Sequence, residues 1–248
     1  MFSLSNIPQL IVSIVATFVA LCLHEYFHAL AAYKLGDNTA KESGRLSLNP
    51  LDHIDPIGAI FMVLFRFGWA KPVPIDPRNF KKPKRDFAIV ALAGPVSNIL
   101  TAFVSTFIFL FLLRFLPNLP EGTFNYTVLY TACLFFSIFS SLNVGLGVFN
   151  LIPVPPFDGS RILNVILPTR AYFKIMKYER RIYWGVISWL FLGTYVYSAL
   201  MSIKFIARTP ALAIIARIFD LSGLIGDAIS AIYNAMISFW QLIPFLFS

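Results

Sequence analysis

His24-Glu25-Tyr26-Phe27-His28 places two histidines four residues apart, with a glutamate directly after the first. On a helix, positions i and i+4 share a face, so both imidazoles can reach a single metal ion. Glu25 then lies beside the ion rather than on it, placed to take a proton from a water held there. The H-E-x-x-H pattern is that of a hydrolytic zinc site. The cluster sits late in an apolar run from Ile7 to about Ala32 and uses two of the chain's three histidines. Ionisable groups inside such a run are costly, which favours function over polar side chains that merely reach for a membrane interface.

Catalytic zinc takes three protein ligands and leaves one position for water. The third ligand has few candidates. Asp158 lies in Asn150-Leu-Ile-Pro-Val-Pro-Pro-Phe-Asp158-Gly159, while His53 and Asp55 lie in an earlier loop. The proline-rich frame before Asp158 is irregular backbone at membrane depth, tolerated where it lines a cavity, and an intramembrane carboxylate needs a partner. Those reasons favour Asp158, although Asp-Gly is also a common turn pair and Asp55, before Pro56, could simply begin a helix. Three amides complete the polar set. Asn143 and Asn150 are seven apart and share a helix face, and Asn98 lies in the small-residue stretch Ala91-Leu-Ala-Gly94-Pro95-Val-Ser-Asn98. Asn98 and Asn150 could stabilise the oxyanion of a tetrahedral intermediate or hydrogen-bond across helices, and one amide could do both.

The elements that must carry these residues are membrane helices. The 248-residue chain is 58% hydrophobic and only 13% charged, with 26 Phe. An ordinary soluble domain carries about 25% charge. Runs long enough to span are Ile7 to about Ala32, Phe87–Leu113, Thr127–Phe149, Ile182–Ile203 and a final Ala228–Phe247. Ile57–Phe65 would reach only roughly 14 Å as a helix, so it is re-entrant or interfacial. The fold class expected is an all-α polytopic bundle of about five transmembrane helices. Gly44–Asn49, alternating polar and apolar before Asn49-Pro50, is expected to add a small β-strand near the site. No Lys or Arg precedes residue 24, so the first run reads as a retained span rather than a signal peptide.

Charge orients the bundle. With five spans, residues 33–86 and 150–181 share one side and hold ten and six of the 20 basic residues. Such a bias marks a cytoplasmic face, and it explains the net charge of +8 without nucleic acid. Cys22 and Cys133 both lie in apolar runs and supply neither a disulfide framework nor a cysteine metal site. Residues 1–206 read as the functional core, and 207–248 as a hydrophobic tail with one further span or an interfacial helix.

His24-Glu-x-x-His28, Gly94-Pro95-x-x-Asn98 and Asn150-x-x-Pro153-x-x-x-x-Asp158-Gly159 together resemble the three core motifs of the site-2 protease family of intramembrane zinc proteases. Gly44-Arg45-Leu-Ser-Leu-Asn49-Pro50 and Asp55-Pro56-x-Gly58 match between them. The similarity covers about residues 7–206 and is closest to the compact bacterial and archaeal branch without inserted soluble domains. The resemblance implies His24, His28 and Asp158 as ligands of one Zn2+ per chain and Glu25 as catalytic acid/base. It also implies substrates that are transmembrane segments of membrane proteins, a prokaryotic cell membrane, and an active site towards the cytoplasm. Gly44–Asn49 could hold an unwound substrate by strand addition. With no appended module, specificity falls to the core, the loops or a regulatory partner protein. The rival class, a metal or proton transporter, predicts polar residues spread through the membrane depth, whereas here they gather near one face.

Overall fold

The computed structural model describes residues 7–65 and 69–243. Its chain forms α1 (Ile7–Lys34), α2 (Thr39–Glu42), α3 (Pro56–Phe65), α4 (Pro83–Leu113), α5 (Phe124–Leu151) and α6 (Gly159–Ile166). It continues through α7 (Thr169–Lys177), α8 (Glu179–Ser202), α9 (Lys204–Arg208), α10 (Pro210–Arg217) and α11 (Leu221–Gln241). Four of these, α1, α4, α5 and α8, are long and apolar enough to cross a membrane. α3, at 10 residues, reaches about 15 Å and is too short, as its length in the sequence implied.

α1, α4 and α5 form the central bundle. Small residues set their spacing: Ala16 and Ala20 of α1 are fully buried against Phe139 of α5, and Ala102 of α4 against Val144 of α5 and Met236 of α11. With lipid tails as apolar as any side chain, close backbone approach and hydrogen bonds across helices replace the hydrophobic effect between spans. Thr106 and Ser140 supply one such contact, with hydroxyls 2.6 Å apart and both buried. Large apolar side chains such as Leu100, Val104 and Tyr195 face outward, as lipid-exposed surface requires.

One expectation is corrected. Gly44–Asn49 is not a strand, and the described residues contain no sheet, only an isolated antiparallel bridge between Ile54 and Ala70. Alternation favours a strand only where a neighbour offers a ladder; here local polar groups take the backbone instead. Asn49 N–H donates to the Ser47 hydroxyl at 3.0 Å, and the Asn49 side chain accepts from Leu51 N–H at 3.2 Å to cap Pro50–His53. The expected final span is not among the four apolar helices of the described residues: α11 is long enough, but Asp227, Asn234 and Gln241 lower its hydropathy. The expected Ala228–Phe247 also runs past residue 243, outside the described residues.

A polar clasp ties the loop before α4 to the end of α1. Asp37, fully buried, accepts from Thr39 N–H and hydroxyl, from Asp76 N–H at 2.8 Å and from the Asn79 amide at 2.8 Å. Burial pushes its carboxyl up, but these donors outweigh burial and hold it below the ordinary carboxylate range. The clasp holds Lys71–Asp76 in an extended run beside α1, with Val73 packed on Ala29 and Ala40.

Candidate functional site

His24 and His28 sit on successive turns of α1 with their Nε2 atoms 3.0 Å apart. Asp158, at the N-terminus of α6, brings Oδ2 to 3.1 Å from each. Among the described residues, these are the ones whose ligand atoms converge tightly enough to hold a metal ion. His53 and Asp55 take no part. His53 donates from Nε2 to Ser47 C=O at 2.8 Å, and Asp55 accepts from Gly58 N–H at 2.8 Å at the start of α3.

The ring protons can be placed by following groups that only accept. His28 Nδ1 lies 2.7 Å from Val90 C=O, so it carries hydrogen and leaves Nε2 with a lone pair. For His24 the reasoning starts at Phe139 C=O, which accepts from the Asn143 amide N–H at 2.8 Å. That bond turns the Asn143 oxygen towards Asn98, whose amide donates to it at 2.7 Å. The Asn98 oxygen therefore faces His24 Nδ1 at 2.5 Å and accepts from it. In the neutral rings both Nε2 atoms are thus acceptors, and they meet a carboxylate oxygen. In that state three lone pairs converge at 3.0–3.1 Å, an arrangement that suits a bound cation. Tetrahedral zinc at about 2.0–2.1 Å from its ligands separates them by roughly 3.4 Å, so the triangle need widen by only a few tenths of an ångström. The donor set fits zinc.

Two glycines make the convergence sterically feasible. A Cβ on Gly94 would strike His28 Nε2 and approach His24 Cε1 to 2.7 Å, so α4 can lie against both imidazoles only without a side chain there. A Cβ on Gly159 would stand 2.5 Å from Ile152 O, which lets α6 start against the end of α5 and sets Asp158 at the site.

Glu25 follows His24 on α1, and its Oε2 accepts from Val73 N–H at 2.9 Å. Pro72 and Pro74 have no N–H, so Val73 is the one donor in that stretch of backbone. Glu25, His28 and Asp158 line a cavity of about 310 Å³, walled by Pro72, Val73 and Arg161 among others. Arg161 follows Asp158 on α6 and pairs with Glu179 of α8 at 3.4 Å. Asn98 is buried with both ends of its amide engaged, and Asn150 donates to Leu146 C=O of its own helix at 3.0 Å; neither lines the cavity.

Residues 12–193 match the peptidase family M50, the site-2 protease family. The chain belongs to that family. A Bacillus subtilis (strain 168) protein named "Putative zinc metalloprotease YwhC" is 38% identical over 204 residues, 79% of this chain and 86% of that protein. The Methanocaldococcus jannaschii "Zinc metalloprotease MJ0392" is 31% identical over 161 residues, 64% of this chain but 36% of that protein. No solved structure matches. The M50 chain is therefore a membrane metalloprotease, and its family and the donor set both point to zinc.

Three contributors to this M50 site escape a reading of side-chain types. The carbonyls of Val90 and Phe139 and the N–H of Val73 are backbone groups, available at any residue. Asn143 was visible as an intramembrane amide, but its partner on α4 was not.

Proposed function

We propose that the chain is an intramembrane zinc metalloendopeptidase that hydrolyses peptide bonds within or next to transmembrane segments, with one zinc per chain on His24, His28 and Asp158. The observation that carries this is the triangle of two imidazole Nε2 atoms and one carboxylate oxygen, 3.0–3.1 Å apart, at a cavity that Glu25 also lines. When bound, zinc lowers the pKa of its water towards about 7 and polarises a peptide carbonyl.

The protein's own residues do the rest. Glu25 takes the proton from water and returns it to the leaving amine. Val73 N–H holds one Glu25 oxygen, which leaves the other to face the reacting water. Asn98 is a positioning residue: its oxygen holds His24 Nδ1–H and so aims Nε2 at the metal. Asn150, turned onto its own helix, is given no part in this reading. A substrate helix hides its carbonyls in its own hydrogen bonds, so it must unwind before attack. The extended Lys71–Asp76 run is the cavity wall along which an unwound segment would lie.

The site opens towards the loops that hold sixteen of the 20 basic residues, which supports a cytoplasmic active site in a prokaryotic cell membrane. Residues 1–206 form the catalytic core, and 207–248 a tail packed against it.

The test is metal content in detergent-purified protein, together with hydrolysis of a transmembrane reporter. Wild type and Glu25→Gln are expected to hold about one zinc, and His28→Ala and Asp158→Ala to lose it. Glu25→Gln should lower kcat by about 10²–10⁴-fold with zinc retained. Full zinc in Asp158→Ala would overturn the ligand set.

A further inference from the structure

Between Asp158 and the span α8, the chain forms the two short helices α6 and α7. α7 is asymmetric. Tyr172 is buried, while Arg170, Phe173, Lys174 and Lys177 are all exposed, Phe173 at 64%. Their spacing is i, i+3, i+4, i+7, which puts three cations and an aromatic ring on one outward face. Arg180 and Arg181, also exposed, extend the charge to the start of α8. The stretch 159–181 contains a single acidic residue, Glu179, and that one pairs with Arg161 at 3.4 Å. The stripe is therefore an uncompensated positive surface with an apolar element in it.

What meets this surface follows from how the segment is tethered. α5 ends at Leu151 and α8 begins at Glu179, and both are spans. The intervening 27 residues are pinned at both ends to one face of the membrane. α6 adds exposed Val165 and Ile166 next to α7, apolar groups suited to the boundary between headgroups and acyl chains. We propose that the Arg170/Phe173/Lys174/Lys177 face of α7 docks onto anionic phospholipid headgroups of the enzyme's own membrane. The partner chemistry is a phosphodiester carrying net negative charge, held by several cations at once, with Phe173 inserted beside it. Because Gly159 opens α6 directly after Asp158, a lipid-anchored α7 also holds the zinc-binding carboxylate's helix in place. The inference rests on the membrane topology proposed above and not on the hydrolytic chemistry, so a failed zinc experiment leaves it standing.

The experiment uses full-length protein in lipid nanodiscs. Cys22 and Cys133 are buried, so Phe173→Cys can be labelled with bimane on a quiet background. Bimane quenching is compared with acyl-brominated phosphatidylglycerol and with acyl-brominated phosphatidylcholine at equal mole fraction. Phosphatidylglycerol should quench more strongly, and the preference should weaken with salt. Each cation is worth about fivefold near an anionic surface, so Arg170→Gln/Lys174→Gln/Lys177→Gln should cut the preference on the order of 100-fold. Equal quenching by the two lipids, or a preference that survives the triple substitution, would overturn the proposal. So would a label reached by aqueous iodide in every lipid and shielded only when an acidic peptide is added, which would assign the face to a protein partner.

Discussion

Two backbone carbonyls, of Val90 and Phe139, decide where the ring protons of His28 and His24 sit. The first acts directly and the second through Asn143 and Asn98. The chain of amides matters because an Asn side chain has two ends, and only a neighbour that must accept can fix which end faces which way. Without Asn143, the Asn98 amide is free to turn its NH2 towards His24. Nδ1 would then have to accept, and the ring hydrogen would move to Nε2, into the ligand triangle. Asn143→Leu is expected to weaken zinc binding by about 10–100-fold, measured by competition with a zinc-sensitive chelator. A residue that only packs would lower thermal stability and leave affinity unchanged; affinity at the wild-type value would sink the relay. The convergence of His24 and His28 was legible in sequence because a helix converts i, i+4 spacing into a shared face. Asn98 was legible only as an alternative between oxyanion contact and hydrogen bond, because its partner lies 45 residues on, at Asn143.

At the scale of elements, the Asp37 clasp governs the loop that walls the cavity. One carboxylate collects donors from Thr39, Asp76 and Asn79, and through Asp76 it holds the extended run that reaches Glu25 at Val73. The folded-state carboxyl is held below its ordinary value, so its ionised form contributes stability above the unfolded pKa of about 3.9, and that contribution is lost as pH falls through the lower folded value. Asp37→Ala should therefore destabilise the protein by roughly 2 kcal/mol at pH 7, with the gap to wild type narrowing below about pH 4. Thermal unfolding of both proteins across that range, in one detergent, checks it; a gap independent of pH would mean that the charge is irrelevant to the clasp. The long helices were legible since each span makes its own hydrogen bonds and advertises itself by apolar length. Gly44–Asn49 was misread because a strand depends on a neighbour that local sequence does not specify. The extended run that does reach the site, Lys71–Asp76, is rich in proline and carries no alternation to announce a role.

For the whole molecule, the sequence reads as about five spans, the described residues hold four helices apolar enough to cross a membrane, and the contacts of α11 bear on the fifth. At its start, Asp220 accepts from the Thr194 hydroxyl of α8 at 2.9 Å; at its end, Trp240 Nε1 donates to Phe103 C=O of α4 at 3.0 Å. Thr194 lies about 22 Å along α8 from the end joined to the basic loops, and Phe103 about 30 Å along α4 from its own such end. Both ends of α11 are thus held well along α8 and α4 from the ends that join the basic loops. The expected outcome is that α11 leans across α4 and α5 rather than carrying the chain back to the basic side. Single cysteines at Lys81, Glu121 and Leu242, all exposed positions, read out the arrangement. In intact cells, a membrane-impermeant maleimide should label Glu121→Cys and Leu242→Cys, and should reach Lys81→Cys only after permeabilisation. Labelling of Leu242→Cys together with Lys81→Cys would restore a fifth span and require α11 to leave its contacts with Thr194 or Phe103. Labelling of Lys81→Cys from outside would place the zinc site, and the basic stripe of α7 with it, on the opposite face of the membrane.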